Sequence, residues 1–165
     1  PSEIGIIADS SAEPAFIAAD VLAQAEHDPN AACVLVTDSD KLASSVGEEI
    51  AAQIATAPRR EIMEKALAHS GYVIAEDMED AAALMNRIAP EHLSIQTADP
   101  LATLSGIHHA GSIFIGPYTP VACGDYASGT NHVLPTAGYA KSYSALHVNH
   151  FMKRSQVQIV TREGL

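Results

Sequence analysis

Three short stretches of this 165-residue chain carry side chains able to do chemistry. In "AQAEH", Gln24 and His27 stand three residues apart, which makes them neighbours on one face of a helix. In "APEHL", Glu91 and His92 follow Pro90 directly. Adjacent side chains point apart in both helix and strand, so this pair shares a cleft only where the proline turns the backbone. In "CGDYASGTNHVLPTAG", Cys123 to Gly138, Asp125 and His132 are embedded among glycines and short polar residues with no sustained helix or strand period. Loops on a rigid scaffold are where such groups bind and react.

Each stretch admits two readings. His27 with Gln24 is a metal-ligand pair, although an amide is not a usual zinc donor, or His27 is a C-terminal cap favoured by the helix dipole. Glu91 and His92 divide general acid and base work, or they form a solvated turn. Asp125 offers a carboxylate to a divalent ion while Asn131 or His132 hydrogen-bonds a ligand, or the segment is an Asx-type turn with a surface histidine. A separate chemistry would use Cys123 as nucleophile, His132 as base and Asp125 to orient it, but nothing local lowers the thiol pKa. Standard motifs are missing from the sequence. No G-x-G-x-x-G follows the first strand, and Gly124 and Gly129 have P-loop spacing but precede Thr130-Asn131 where Lys-Ser/Thr is needed. Neither H-E-x-x-H nor G-x-S-x-G occurs. His69, His108, His109, His147 and His150 read as ordinary solvent-facing residues.

The elements that must position these groups follow from hydrophobic periodicity. Strands are expected at "EIGIIAD", "ACVLVTD", "GYVIAED" and "GSIFIG". Helices are expected over residues 14–27, 39–57, 58–70 and in "MEDAAALMNRIA". This alternation predicts an α/β fold, a doubly wound, mostly parallel sheet of incomplete Rossmann-like type with helices on both faces. Ligands of such folds bind beyond the carboxyl ends of the strands, where the loops after Asp9, Thr37 and Gly116 should gather. Beyond Gly138 a helix capped by Asn149 and an alternating strand "QVQIVT" are expected. The elements divide into an α/β unit over residues 1–140 and a helix-strand segment over 141–165.

A chain of this size can bury about two-thirds of its unfolded surface in one core. Nine Lys and Arg against twenty Asp and Glu give a formal charge of −11, which argues against nucleic acid or an anionic membrane and suits a cation. No apolar run reaches the roughly 18 residues of a membrane span, and the amino end lacks signal-peptide character. The two cysteines form no C-x-x-C pair, so a reducing cytoplasm is the expected location.

Taken together, "PSEIGIIAD", "DVLAQAEHDP", "APEHLSIQT", "AGSIFIGPYTPVACGDYASGTNHVLPT" and "FMKRSQVQ…TREGL" resemble the histidinol dehydrogenase family in order and spacing over essentially the whole chain. The resemblance implies a zinc-containing, NAD-dependent oxidation of L-histidinol through L-histidinal to L-histidine. It implies Gln24, His27 and Asp125 as zinc ligands, Glu91 as activator of the attacking water, and His92 as the proton-accepting base. It also implies Ser2, Gln24, His27, His92, Asp125 and His132 as substrate-binding positions, with zinc orienting the substrate's imidazole and amine. Members of the family are intertwined homodimers whose complete chain is more than twice this length. The NAD-binding part therefore falls outside these residues, and a partner subunit supplies a further zinc-binding histidine and a substrate-contacting glutamate. The isolated segment is expected to be inactive. The competing reading is a non-catalytic metal- or imidazole-binding α/β module, which has no need of Glu91.

Overall fold

The computed structural model describes residues 2–126 and 128–165. Its elements follow in the order β1 (Glu3–Ala8), α1 (Pro14–Ala25), β2 (Ala32–Thr37), α2 (Asp40–Ile54), α3 (Arg60–Leu67), β3 (Gly71–Ile74), α4 (Met78–Ile88), β4 (His92–Gln96), α5 (Pro100–Ser105), β5 (Ser112–Ile115) and α6 (Cys123–Tyr126). The strands form one parallel sheet in the order β3-β2-β1-β4-β5, as the βαβ alternation predicts.

The period of two in β1 builds both cores. Ile4, Ile6 and Ala8 join Ile17, Val21, Leu35 and Val46 in the layer under α1–α3. Ile7 points the other way and packs with Met85, Leu93 and Ile95 under α4. Gly5 lets α4 settle onto β1, because a Cβ there would lie 2.3 Å from the Met85 sulfur. Ser39 and Asp77 cap α2 and α4 by accepting from Leu42 N–H and Asp80 N–H. Among the described residues no helix is long and apolar enough to cross a membrane.

Several expectations need correcting. β4 and α5 were not legible, and β4 is the strand that His92 begins. α1 stops at Ala25, so His27 lies beyond the helix. The segment at Cys123 opens with one helical turn, α6, where no period was visible. Beyond Gly138 the expected helix is a 3-10 turn, Val148–Phe151, with Asn149 inside it and not at its cap. The expected strand "QVQIVT" does not form, and Val157, Ile159 and Val160 are exposed. A strand exists only where a neighbour pairs with it, and none does here.

Candidate active site

The chemistry-bearing residues gather at the amino edge of the sheet, opposite to the carboxyl-end location that the fold class suggested. The β1–β4 register sets Ile4 beside His92, so Ser2 and Glu3, which lead into β1, lie next to Glu91. A crossover helix must carry the chain back from the carboxyl edge, so the last turn of α1 delivers Gln24, and the turn that follows it His27, to the same place. The carboxyl-end crevice beside β1 and β4, about 830 Å³, is lined by Asp9, Thr97, Asp99 and His108 and by none of the expected site residues.

Gln24 is 2% exposed and its Nε2 has no hydrogen-bond partner. A buried orphan amide of this kind costs free energy unless something outside the chain satisfies it. His27 is exposed at the rim.

The Glu91–His92 pair is built by the way α4 ends. Ala89 closes α4 in the left-handed region at φ 54°, and Pro90 turns the chain into β4. Glu91 is 7% exposed, and its Oε2 accepts from the Ser2 hydroxyl and, at 3.0 Å, from Glu3 N–H. His92 Nδ1 lies 3.2 Å from the Glu3 carbonyl oxygen and 3.6 Å from Glu91 Oε2. Both neighbours accept, so in the neutral ring Nδ1 carries the proton and Nε2 the lone pair. The imidazole leans on Phe114 at a centroid distance of 6.0 Å. Gly124 fits against the same ring, since a Cβ there would lie 2.9 Å from Phe114.

Ser2, Gln24, His27, Glu91, His92, Asp125 and His132 all line one cavity of about 330 Å³. A wider cavity of about 700 Å³, lined also by Asp28, Asn30 and Thr136, shares Ser2 and Glu91 with it, so Glu91 is reachable from two sides. Gln24 and Glu91 are buried, His92 is half-buried, and Asp125 and His132 are exposed on the loop above. Cys123 is not among the lining residues. Among the described residues no three His, Cys, Asp or Glu side chains come together as a metal site. The expected ligands Gln24, His27 and Asp125 offer one amide, one imidazole and one carboxylate, three positions where tetrahedral zinc uses four, and a ligating role for Gln24 falls to its Oε1, because the unpartnered Nε2 is a hydrogen-bond donor.

Sequence reasoning missed Asp20, an acidic residue on the buried face of α1. It is 4% exposed and accepts from Ser94 Oγ, Gln96 Nε2 and Val121 N–H. Burial pushes its carboxyl above the ordinary aspartate value, against the hydrogen bonds from Val121 and Ser94. The available signal was its spacing, one turn before Gln24 on a face otherwise apolar.

A family model described as histidinol dehydrogenase matches residues 1–165. The chain belongs to the histidinol dehydrogenase family. It is 52% identical over its full length to the histidinol dehydrogenase of Methanosarcina barkeri and 53% identical to that of Methanosarcina mazei, covering 38% of each. The crystal structure of histidinol dehydrogenase from Elizabethkingia anophelis matches 99% of the chain with a TM-score of 0.96 and 38% identity, and the chain covers 38% of it. The chain thus spans a little over a third of the length of these family members.

Proposed function

We propose that this chain is the acid-base and zinc-binding part of an enzyme that oxidises L-histidinol through L-histidinal to L-histidine with two NAD in histidine biosynthesis. The observation that carries the reading is the single cavity in which Gln24, His27 and Asp125 face Glu91 and His92. Gln24, His27 and Asp125 would hold zinc, Gln24 through its carbonyl Oε1, which leaves its unpartnered Nε2 to donate to an acceptor outside the chain. When bound, zinc supplies a Lewis-acidic anchor that orients the substrate's imidazole and amine. NAD would be held by residues outside this chain and would supply the hydride acceptor for both oxidations.

The chain's own residues do the proton work. His92 Nε2 takes the hydroxyl proton as the alcohol carbon gives up hydride. The Glu91 carboxylate, oriented through Oε2 by Ser2 and Glu3, takes a proton from the water that adds to the aldehyde carbon. His92 then deprotonates the hydrated aldehyde for the second hydride departure. Three protons, two hydrides and one water balance the conversion of the alcohol to the carboxylate, with His92 passing its first proton to solvent before it takes the second. The formal charge of −11 suits a substrate that arrives as a cation.

We further assign residues 1–140 to the catalytic unit and 141–165 to a connector toward a further domain, a role supported by the exposure of Val148, Phe151, Val157 and Ile159. A homodimer in the cytoplasm accords with this exposed apolar tail and with Cys33 and Cys123 both being free thiols. The decisive experiment uses a chain of the relatives' full length carrying these residues. Glu91→Gln should retain zinc and the first oxidation while losing the second, so that aldehyde is trapped in a single turnover; unchanged histidine formation would refute the reading. The isolated segment should not oxidise histidinol.

A further inference from the structure

Asp125 and His132 are exposed, and besides the packing of Gly124 on Phe114 and the bond from Leu146 N–H to the Val133 carbonyl at 3.0 Å, the segment that carries them is tied near both its ends. At the near end, Val121 N–H donates to Asp20 Oδ1 at 3.0 Å. At the far end, Ala137 N–H donates to Glu3 Oε1 at 2.9 Å. Asp20 is itself fixed to β4, because Ser94 Oγ and Gln96 Nε2 each reach its other oxygen at 3.4 Å. Glu3 is fixed by its main chain, whose N–H serves Glu91 and whose carbonyl serves His92. Each carboxylate therefore joins the loop to a segment that carries other cavity residues: Asp20 is one turn from Gln24, and Glu3 is next to Ser2.

Ala137 adds an independent sign of constraint. It holds φ at 54°, a left-handed conformation that a residue with a Cβ keeps only where its surroundings over-determine it. The N–H of that same residue is the one that Glu3 accepts. Neither Asp20 nor Glu3 lines the cavity, so both act through other groups.

We propose that Glu3 and Asp20 are positioning residues that staple the segments 121–126 and 128–138 at Val121 and Ala137, so that Asp125 and His132 face the floor formed by Gln24, Glu91 and His92. The staples set how well the cavity takes a divalent cation. This rests on the zinc-site reading above and extends it to residues outside the cavity. What matters is an acceptor oxygen at each end and not a charge: Glu3→Gln and Asp20→Asn keep the oxygen, whereas alanine removes it. The Glu3 contacts to Glu91 and His92 run through its main chain, so Glu3→Ala reports the staple alone.

Hydrogen exchange on this chain tests the staple without metal or turnover. The amides of Val121 and Ala137 and of residues 128–136 should exchange at least about tenfold faster in the alanine variants, with β1 and β2 unaltered and both amide variants like the parent. In a full-length chain carrying these residues, affinity for Zn²⁺ measured against a chromophoric chelator should fall by about 10- to 100-fold in the alanine variants and recover in the amide variants. The KM for histidinol should rise more than kcat falls. Alanine variants that keep loop protection and zinc affinity within twofold would overturn the proposal, as would amide variants that fail like alanine. Should Asp20→Ala not fold, Glu3→Ala at the half-buried edge decides alone. If the parent full-length chain binds no zinc and leaves histidinol untouched, the functional reading fails while the exchange result still judges the staple.

Discussion

His92 Nδ1 stands 3.2 Å from the main-chain carbonyl oxygen of Glu3, and this contact decides which ring nitrogen can act as a base. A carbonyl cannot donate, so in the neutral ring the proton sits on Nδ1 and Nε2 is left as the acceptor that the proposed base role needs. His92→Asn can keep a donor toward Glu3 but has no basic nitrogen. In the full-length enzyme kcat should drop about 10²- to 10⁴-fold with zinc content unchanged, as read by steady-state kinetics and metal analysis. A loss of less than tenfold would remove His92 from the role of base.

Much of the fold was legible because β1 and β2 are short apolar runs, and both are largely buried, Ile4–Ala8 throughout and β2 with Val34 half-buried. β4 was hidden for a physical reason. Its His92, Ser94 and Gln96 alternate toward α1, where Ser94 and Gln96 meet the buried carboxylate of Asp20 in place of an apolar core. A polar network at core positions erases the hydrophobic alternation by which strands are recognised. The tail failed the opposite way: "QVQIVT" alternates well but has no strand beside it. The family motifs singled out residues that the fold gathers around one cavity, whereas their place at the amino edge depends on the β1–β4 register, which no local pattern encodes.

Two aspartates give stability opposite dependences on pH. Burial raises Asp20 above its unfolded value, so its contribution is complete below the ordinary aspartate range and is lost as pH rises through the raised folded pKa. Asp9 is depressed: burial works against ionisation, but hydrogen bonds from the Ser11 hydroxyl, Ala98 N–H and Ser11 N–H outweigh it. Its contribution is complete above the ordinary range and is lost as pH falls through the lowered value. Urea midpoints followed from mildly acidic to neutral pH should therefore decline less in Asp20→Asn than in the parent, and Asp9→Asn should flatten the acid limb. Parallel curves for all three proteins would contradict the assignment.

The two cysteines should differ in reactivity. Burial pushes the Cys33 thiol up to about 11 despite the hydrogen bond with Ser70, while Cys123 is only half-buried. Iodoacetamide at pH 8 should modify Cys123 well before Cys33, because the thiolate is the nucleophile. If the Cys123 hydrolase reading were right, alkylation would abolish the enzyme's activity. The prediction is that Cys123→Ser and alkylated full-length enzyme keep histidinol oxidation within about threefold, with peptide mass spectrometry locating the label. Preferential labelling of Cys33 would show that the thiol is not sealed as described.

Gly111 and Gly47 make a paired test of how closely the backbone packs behind Glu91. A Cβ on Gly111 would lie 2.5 Å from the Glu91 carbonyl oxygen, main-chain matter that cannot swing aside. Gly111 N–H and Ser112 N–H also hold Pro90 and Glu91 by their carbonyls at 2.9 Å, so displacement there carries straight to the Glu91 carboxylate. Gly111→Ala should cost about 1–3 kcal/mol of stability and lower kcat more than it raises KM. Gly47, within α2, has nothing within 4 Å of where its Cβ would stand. Gly47→Ala should instead stabilise the chain by about 0.5–1 kcal/mol, the helix-propensity gain, with no effect on catalysis. Denaturation midpoints and kinetics on the two variants separate a packing clash at the site from a general intolerance of added bulk; a Gly111→Ala enzyme with parental kcat would show that Glu91 is not held through its main chain.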